Sequence, residues 1–189
     1  MKKLWICLAG LLVSACFTGV SQTSDFYYLT AQKPENKTFN TVTSINIENV
    51  RIPASIDKPQ IITTDPDGIQ IQIHEFHRWI EPLDSMIAKT VAQDMALIMP
   101  KSTIKNGADV FETFNYTVSI DIVQFWGTLE GQTTLDAWWR VRNKEDKTIF
   151  SGHTLLTAPS GKTIADLVKT QSHLLTEMSD QIAQKILKK

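Results

Sequence analysis

The chain has 189 residues, with 19 basic and 20 acidic side chains, a formal charge of −1 and 42% apolar residues. That balance suits one folded domain with a sizeable core, and it offers no basic surface that would point to a nucleic-acid partner. Both cysteines, Cys7 and Cys16, stand near the N-terminus, so the body of the chain has no thiol for a disulfide, a metal site or covalent catalysis.

Lys2 and Lys3 open the chain, an apolar run from Leu4 to Val13 follows, and Ser14, Ala15 and Cys16 come next. A basic start, a short apolar run and small residues predict a secretory signal peptide over residues 1–15. The run is about half of the ~20 residues that a membrane-spanning helix needs. With a cysteine directly after the small residues, Val13-Ser14-Ala15-Cys16 resembles the bacterial lipobox. The lipobox implies cleavage before Cys16, an S-diacylglycerol on its thiol and an N-acyl chain on its new amine. No other cofactor is expected. At ~0.8 kcal/mol per buried CH2, two or three such chains hold a protein at a bilayer where one does not. Losing Lys2 and Lys3 with the leader takes the formal charge from −1 to −3. Phe17 stands where an aspartate tends to retain Gram-negative lipoproteins at the inner membrane. The resemblance therefore implies the outer membrane, facing the periplasm.

Residues 16–25 then form the lipidated N-terminus and tether, and residues 26–189 the folded domain. Fully stretched, the stretch from Phe17 to Asp25 reaches ~30 Å. Phe26-Tyr27-Tyr28-Leu29 predicts the first strand, and the polar stretch from Ala31 to Asn40, with Pro34, predicts a loop. Ile45 and Ile47 alternate, but the phase slips near Asn49 before Val50 and Ile52, which predicts a bulge or an early strand end. Two strands, Gln60 to Thr64 and Ile69 to Phe76, are joined by Asp65-Pro66-Asp67-Gly68, a hairpin signal. Ile69, Ile71 and Ile73 share one face, opposite Gln70, Gln72 and His74. One face is expected to be core and the other wet or covered by a partner.

Pro82 and Asp84 suit the first turn of a helix. Leu83, Ile87, Val91, Met95 and Ile98 recur every three or four residues as its buried stripe. Pro100 stops it, and Lys101 to Asp109 reads as a loop. Tyr116, Val118, Ile120 and Ile122 begin a strand that extends to Phe125 and Trp126. Thr133 to Arg142 returns it, with Leu135, Ala137 and Trp139 on one side, and Thr148 to Leu156 is the next strand. Ser160 is placed to cap a last helix from about Lys162 to Leu187. The order of strands, helix, strands, helix predicts a single α+β domain, a largely antiparallel sheet with two α-helices on one face.

Signals for chemistry are sparse. His74-Glu75-Phe76-His77-Arg78 lacks the second histidine that a zinc-protease helix needs four residues on. Ser160-Gly161-Lys162-Thr163 looks like the end of a phosphate loop, but Leu156 stands where its first glycine would be. There is no Gly-x-Ser-x-Gly elbow, and His153 and His173 are isolated. No catalytic or metal-binding residue is expected. The aromatics are more informative. Trp138 and Trp139 are neighbours on one strand and must point to opposite faces. Either one or two of the tryptophans fill the core and the others rest on helix ends, or at least one, with Trp126 and Trp138 the candidates, belongs to an exposed patch that binds a partner subunit or lipid.

Several stretches in fixed order resemble the ABC-type transport auxiliary lipoproteins, the PqiC-like group. They are the lipobox ending at Cys16, Phe26-Tyr27-Tyr28-Leu29, the run from Ile52 to Thr63 containing Asp57-Lys58-Pro59-Gln60-Ile61, then Arg78-Trp79-Ile80-Glu81-Pro82-Leu83, and Asp136-Ala137-Trp138. The one departure noted is Lys58, where arginine is more usual. The resemblance implies a non-enzymatic outer-membrane lipoprotein of an MCE-type (Pqi-like) intermembrane lipid transport system. Its partners would be an MCE-domain protein that forms a periplasm-spanning tunnel, that protein's inner-membrane partner and the outer-membrane bilayer. A homo-oligomer would match a symmetric tunnel by analogy alone. Arg78, Trp79, Glu81 and Pro82 are expected to build a structural corner, with Arg78 pairing with Glu81 and Trp79 packed under the helix. Two rival readings remain: a lipoprotein that holds a lipid or apolar ligand in a cavity lined by Trp126, Trp139 and Phe150, and an envelope hydrolase that clusters His74, His77, His153 and His173.

Overall fold

A computed structural model describes residues 22–32, 38–48, 50–107 and 112–188. The leader (residues 1–15), Cys16, Phe17, Pro34 and Asn49 lie outside the described residues. Among the described residues eight strands and two helices follow in the order β1 (Asp25–Tyr27), β2 (Ser44–Ile47), β3 (Gln60–Thr64), β4 (Ile71–Trp79), α1 (Leu83–Ile98), β5 (Thr103–Asn106), β6 (Tyr116–Gly127), β7 (Gln132–Asn143), β8 (Thr148–Pro159) and α2 (Ile164–Leu187). Among the described residues no helix is long and apolar enough to cross a membrane.

The strict alternation of Val118, Ile120 and Ile122 against Val141, Trp139 and Ala137 pairs β6 with β7 antiparallel, and β8 continues the meander on the far side of β7. The turns between them place Glu130 and Asp146 at φ near +60°, conformations that an acidic side chain tolerates better than a β-branched one. This meander is the centre of a five-stranded sheet of order β5-β2-β6-β7-β8. A second sheet of three strands has the order β1-β4-β3. The α+β expectation holds, and the long ladders are antiparallel as expected. The additional feature is that the strands divide into two sheets, both mixed, because the short strands β1, β2 and β5 join in parallel.

Both helices pack their stripes on the five-stranded sheet. Leu83, Ile87, Val91, Met95 and Ile98 of α1 are buried, as are Ile164, Leu167, Val168, Gln171, Leu174, Leu175, Met178, Ile182 and Ile186 of α2. One apolar cluster joins them to the inward side chains of β2, β6 and β7, and reaches Ile61, Ile62 and Trp79 of the smaller sheet.

Two local expectations change, at β5 and at the α2 cap, and the expected early strand end is observed. The loop after α1 contains β5, a four-residue strand paired with β2, whose Thr-Ile-Lys-Asn sequence is too short to show a period. The strand from Ile45 ends at Ile47, and only Arg51 returns, as an isolated bridge to Asp121. The cap of α2 is Thr163 and not Ser160. The Thr163 hydroxyl accepts from the backbone N–H of Asp166, whose carboxylate accepts from that of Thr163, completing a capping box. Ser160 is buried and shares a hydrogen bond with Thr133 at 2.8 Å.

Candidate interaction surfaces

The corner from Arg78 to Pro82 is assembled by backbone bonds. The N–H of Trp79 donates to Pro59 O at 2.7 Å and that of Ile80 to Tyr27 O at 3.0 Å, tying β4 to β1 and to the turn before β3. Trp79 is buried, in the same apolar cluster as Leu83 and Met86 of α1. Pro82 stands at the N-cap of α1 and its carbonyl accepts the Met86 N–H. The expected Arg78–Glu81 pair does not form. Glu81 meets Lys89 at 3.3 Å instead, an exposed pair that adds little, and the Nε of Arg78 is buried without a hydrogen-bond partner. Tyr28 and Ile80, both exposed, edge a depression of about 460 Å³ beside this corner, floored by Leu29 and Met86.

The tryptophans separate as the strand period requires. Trp139 is buried, its Nε1–H donates to Thr154 Oγ1 at 3.1 Å, and that hydroxyl donates to Gln181 at 2.8 Å. Its indole lies so close to Gly152 that a Cβ there would overlap the ring, and it is packed in the apolar core. Trp126 is half-buried against the core. Trp138 is 54% exposed on the open face of the sheet. It stacks on His153 at 4.4 Å with 19° between the rings, and His153 shares a 2.7 Å hydrogen bond with Asp136. Exposed Leu155 lies on the same face, opposite Asp136. Asp121, the cross-strand neighbour of Trp138, is held by Arg51 and Arg140, and farther along this face Arg142 is held by Glu48 and Asp146. The hydrogen bond from Arg51 keeps the Asp121 carboxyl below its ordinary range.

The β3–β4 hairpin reverses an expectation. Ile69, Ile71 and Ile73 are 86%, 46% and 48% exposed, whereas Ile61, Ile62, Thr63 and Thr64 of β3 are buried. The sheet turns β3 toward β6 and leaves β4 outside. His74 and His77 are three residues apart and would face opposite sides of a regular strand, yet their rings meet edge to face at 6.0 Å. The ladder between β3 and β4 shifts register at Gln60/Ile61, which breaks the two-residue period in this stretch. His74 bonds to Thr63 and His77 to the Tyr27 hydroxyl, each at 2.8 Å. Burial first, and then His77, pushes the His74 imidazole below its usual pKa. His153 is on β8, and His173 is on α2 beside Glu177. The four histidines thus occupy three separate places. Among the described residues no group of three or more His, Cys, Asp or Glu side chains could hold a metal ion.

Asp94 is the polar residue that sequence reading passed over. It is fully buried on α1, where it accepts from the Gln32 N–H at 2.9 Å, from Thr176 Oγ1 at 3.0 Å and from Ser179 Oγ at 3.3 Å. Burial raises its pKa to about 7 against the pull of those donors. With Ser172, which accepts from the Thr30 N–H, it fastens the segment after β1 across both helices. Its place three residues after Val91 on the buried stripe was the available signal.

No curated protein matches the chain. Among solved structures, one described only as an uncharacterized protein superposes with a TM-score of 0.72 at 17% identity, covering 87% of this chain and 99% of its own. A protein from Xanthomonas campestris superposes with a TM-score of 0.67 at 15% identity, covering 84% of this chain and 92% of its own. At these identities the likeness is one of fold. The model of the ABC-type transport auxiliary lipoprotein component matches residues 27–183, nearly the whole domain just described. The chain therefore belongs to the ABC-type transport auxiliary lipoprotein family.

Proposed function

We propose that this protein is the outer-membrane lipoprotein subunit of an MCE-type (Pqi-like) intermembrane lipid transport assembly, acylated at Cys16 and docking the periplasm-spanning tunnel protein at the outer membrane. Family membership supports the transport role. Val13-Ser14-Ala15-Cys16 supports the anchor, and Phe17 the outer-membrane address. The observation that carries the reading is where the apolar side chains lie. Trp138, Leu155 and the β4 isoleucines are exposed, while His74, His77, His153 and His173 are spent on separate local hydrogen bonds and ion pairs. Such a surface suits assembly more than turnover.

Within that reading, Trp138 on its His153 platform is the residue that meets the MCE-domain protein, with Trp126, opposite Thr134 on the neighbouring strand, as a second candidate. Arg78, Trp79, Glu81 and Pro82 act as a structural corner that sets β1 and α1. Purification of the tagged, acylated protein from solubilised envelopes tests this. The MCE-domain protein is expected in the eluate and depleted by Trp138→Ala. Its absence from the wild-type eluate would overturn the proposal.

A further inference from the structure

The parallel pairing of β1 with β4 places Asp25 opposite His77. The chain therefore enters the domain alongside β4, from the end at which the β3–β4 turn lies. Counted back along that register, Cys16 is as far from Asp25 as Gly68 is from His77. At ~3.3 Å per residue each span is at most ~30 Å. A tether of nine residues is long enough for an acylated Cys16 to lie at the level of the hairpin tip, which puts the tip within reach of the bilayer that the acyl chains enter.

The stretch that follows the turn is uncharged and carries an apolar row. Ile69, Ile71 and Ile73 form one exposed row, flanked by Gln70 and Gln72, and no charged residue stands between Ile69 and His74. Phe76 and Phe26 are exposed farther up the same two strands. Asp65 at the turn is held by the N–H groups of Ile69 and Gln70 at 2.9 and 3.0 Å, and Asp67 stands beside it. Two carboxylates at the tip oppose entry into hydrocarbon, so the contact they permit is side-on, with the isoleucines at the boundary between headgroups and acyl chains.

We propose that the Ile69–Ile71–Ile73 row is a second, non-covalent contact with the lipid surface, beside the acylated N-terminus. It orients the domain on the bilayer instead of leaving it loose on its tether. This rests on the reading of Cys16 as the lipid anchor, which the intact mass of the mature chain decides by itself.

In the acylated mature protein, Ile71→Cys supplies the one free thiol, since Cys7 leaves with the leader and Cys16 carries lipid. An environment-sensitive fluorophore is attached there, and the protein is reconstituted in phosphatidylethanolamine–phosphatidylglycerol vesicles with or without brominated acyl chains. Glu145→Cys, in the β7–β8 turn, is the comparison, and Ile73→Cys repeats the test at the next position of the row. Emission from positions 71 and 73 is expected to be blue-shifted relative to 145 and quenched by the brominated lipid. Emission at 71 and 73 that matches 145 would overturn the proposal. So would a blue shift without quenching, because protein and not lipid would then cover the row. An unacylated N-terminus by intact mass would sink the anchor reading, whereas an acylated chain with an unquenched probe would sink this inference alone.

Discussion

On β7, Leu135, Ala137, Trp139 and Val141 alternate with Asp136, Trp138 and Arg140, and all four of the first set are buried beneath the helices. On β4, Ile71 and Ile73 alternate with Gln72 and His74, yet the isoleucines are about half exposed. The two strands carry the same period and differ in what lies under them. Two amphipathic helices cover one face of one sheet, and the five-stranded sheet uses both. The smaller sheet is fastened through β3 and the Trp79 corner, which leaves the Ile71–Ile73 end of its central strand β4 uncovered. Alternation divides a strand into two faces, but the covering layer decides which face is core.

Emptying the β7 side of that contrast should cost most. Trp139→Ala removes the indole packed on Gly152 and leaves Thr154 without its donor, and the expected loss is ~3–5 kcal/mol by urea denaturation. Asp94 tests the same helical layer through its polar seam. Its folded pKa of about 7 lies above the ordinary value of 3.8, so between those values the folded state binds a proton that the unfolded state does not. Stability should therefore fall as pH rises from about 4 to about 7 and then level off, by roughly 2–4 kcal/mol from this one group. Asp94→Asn should flatten that slope, leaving the opposite and smaller acid-side loss from His74. Denaturation at pH 5 and pH 8 measures both. Opening the α2 capping box with Thr163→Ala should cost about 1 kcal/mol without changing the surface of either sheet.

Much of this layer was legible in the sequence. The stripes of α1 and α2 come from 3.6-residue periodicity, and those residues are buried because both helices have a sheet to cover. The opposite faces of Trp138 and Trp139 follow from the two-residue period of a strand. Three features were not legible, each because a distant segment decides it. The cap of α2 moved to Thr163 because Ser160 is drawn to Thr133 on β7. The β5 strand exists only through its pairing with β2. The outward turn of the β4 isoleucines depends on β3 facing β6, a contact between parts of the chain far apart in sequence. The candidate surfaces divide in the same way. Trp138 was found by parity, but the His153 platform beneath it comes from the register of β7 against β8, which a single strand does not reveal.

The smallest expected effect is also the sharpest test of the contrast. The β4 isoleucines, about half exposed, should contribute little to folding. Urea denaturation of Ile71→Thr/Ile73→Thr in the mature chain measures this directly. A change below about 1 kcal/mol for the pair is the predicted result, as for surface substitutions that keep the β-branched shape. A loss of about 4 kcal/mol or more, the scale of two buried aliphatic side chains, would contradict it and make the row part of the core.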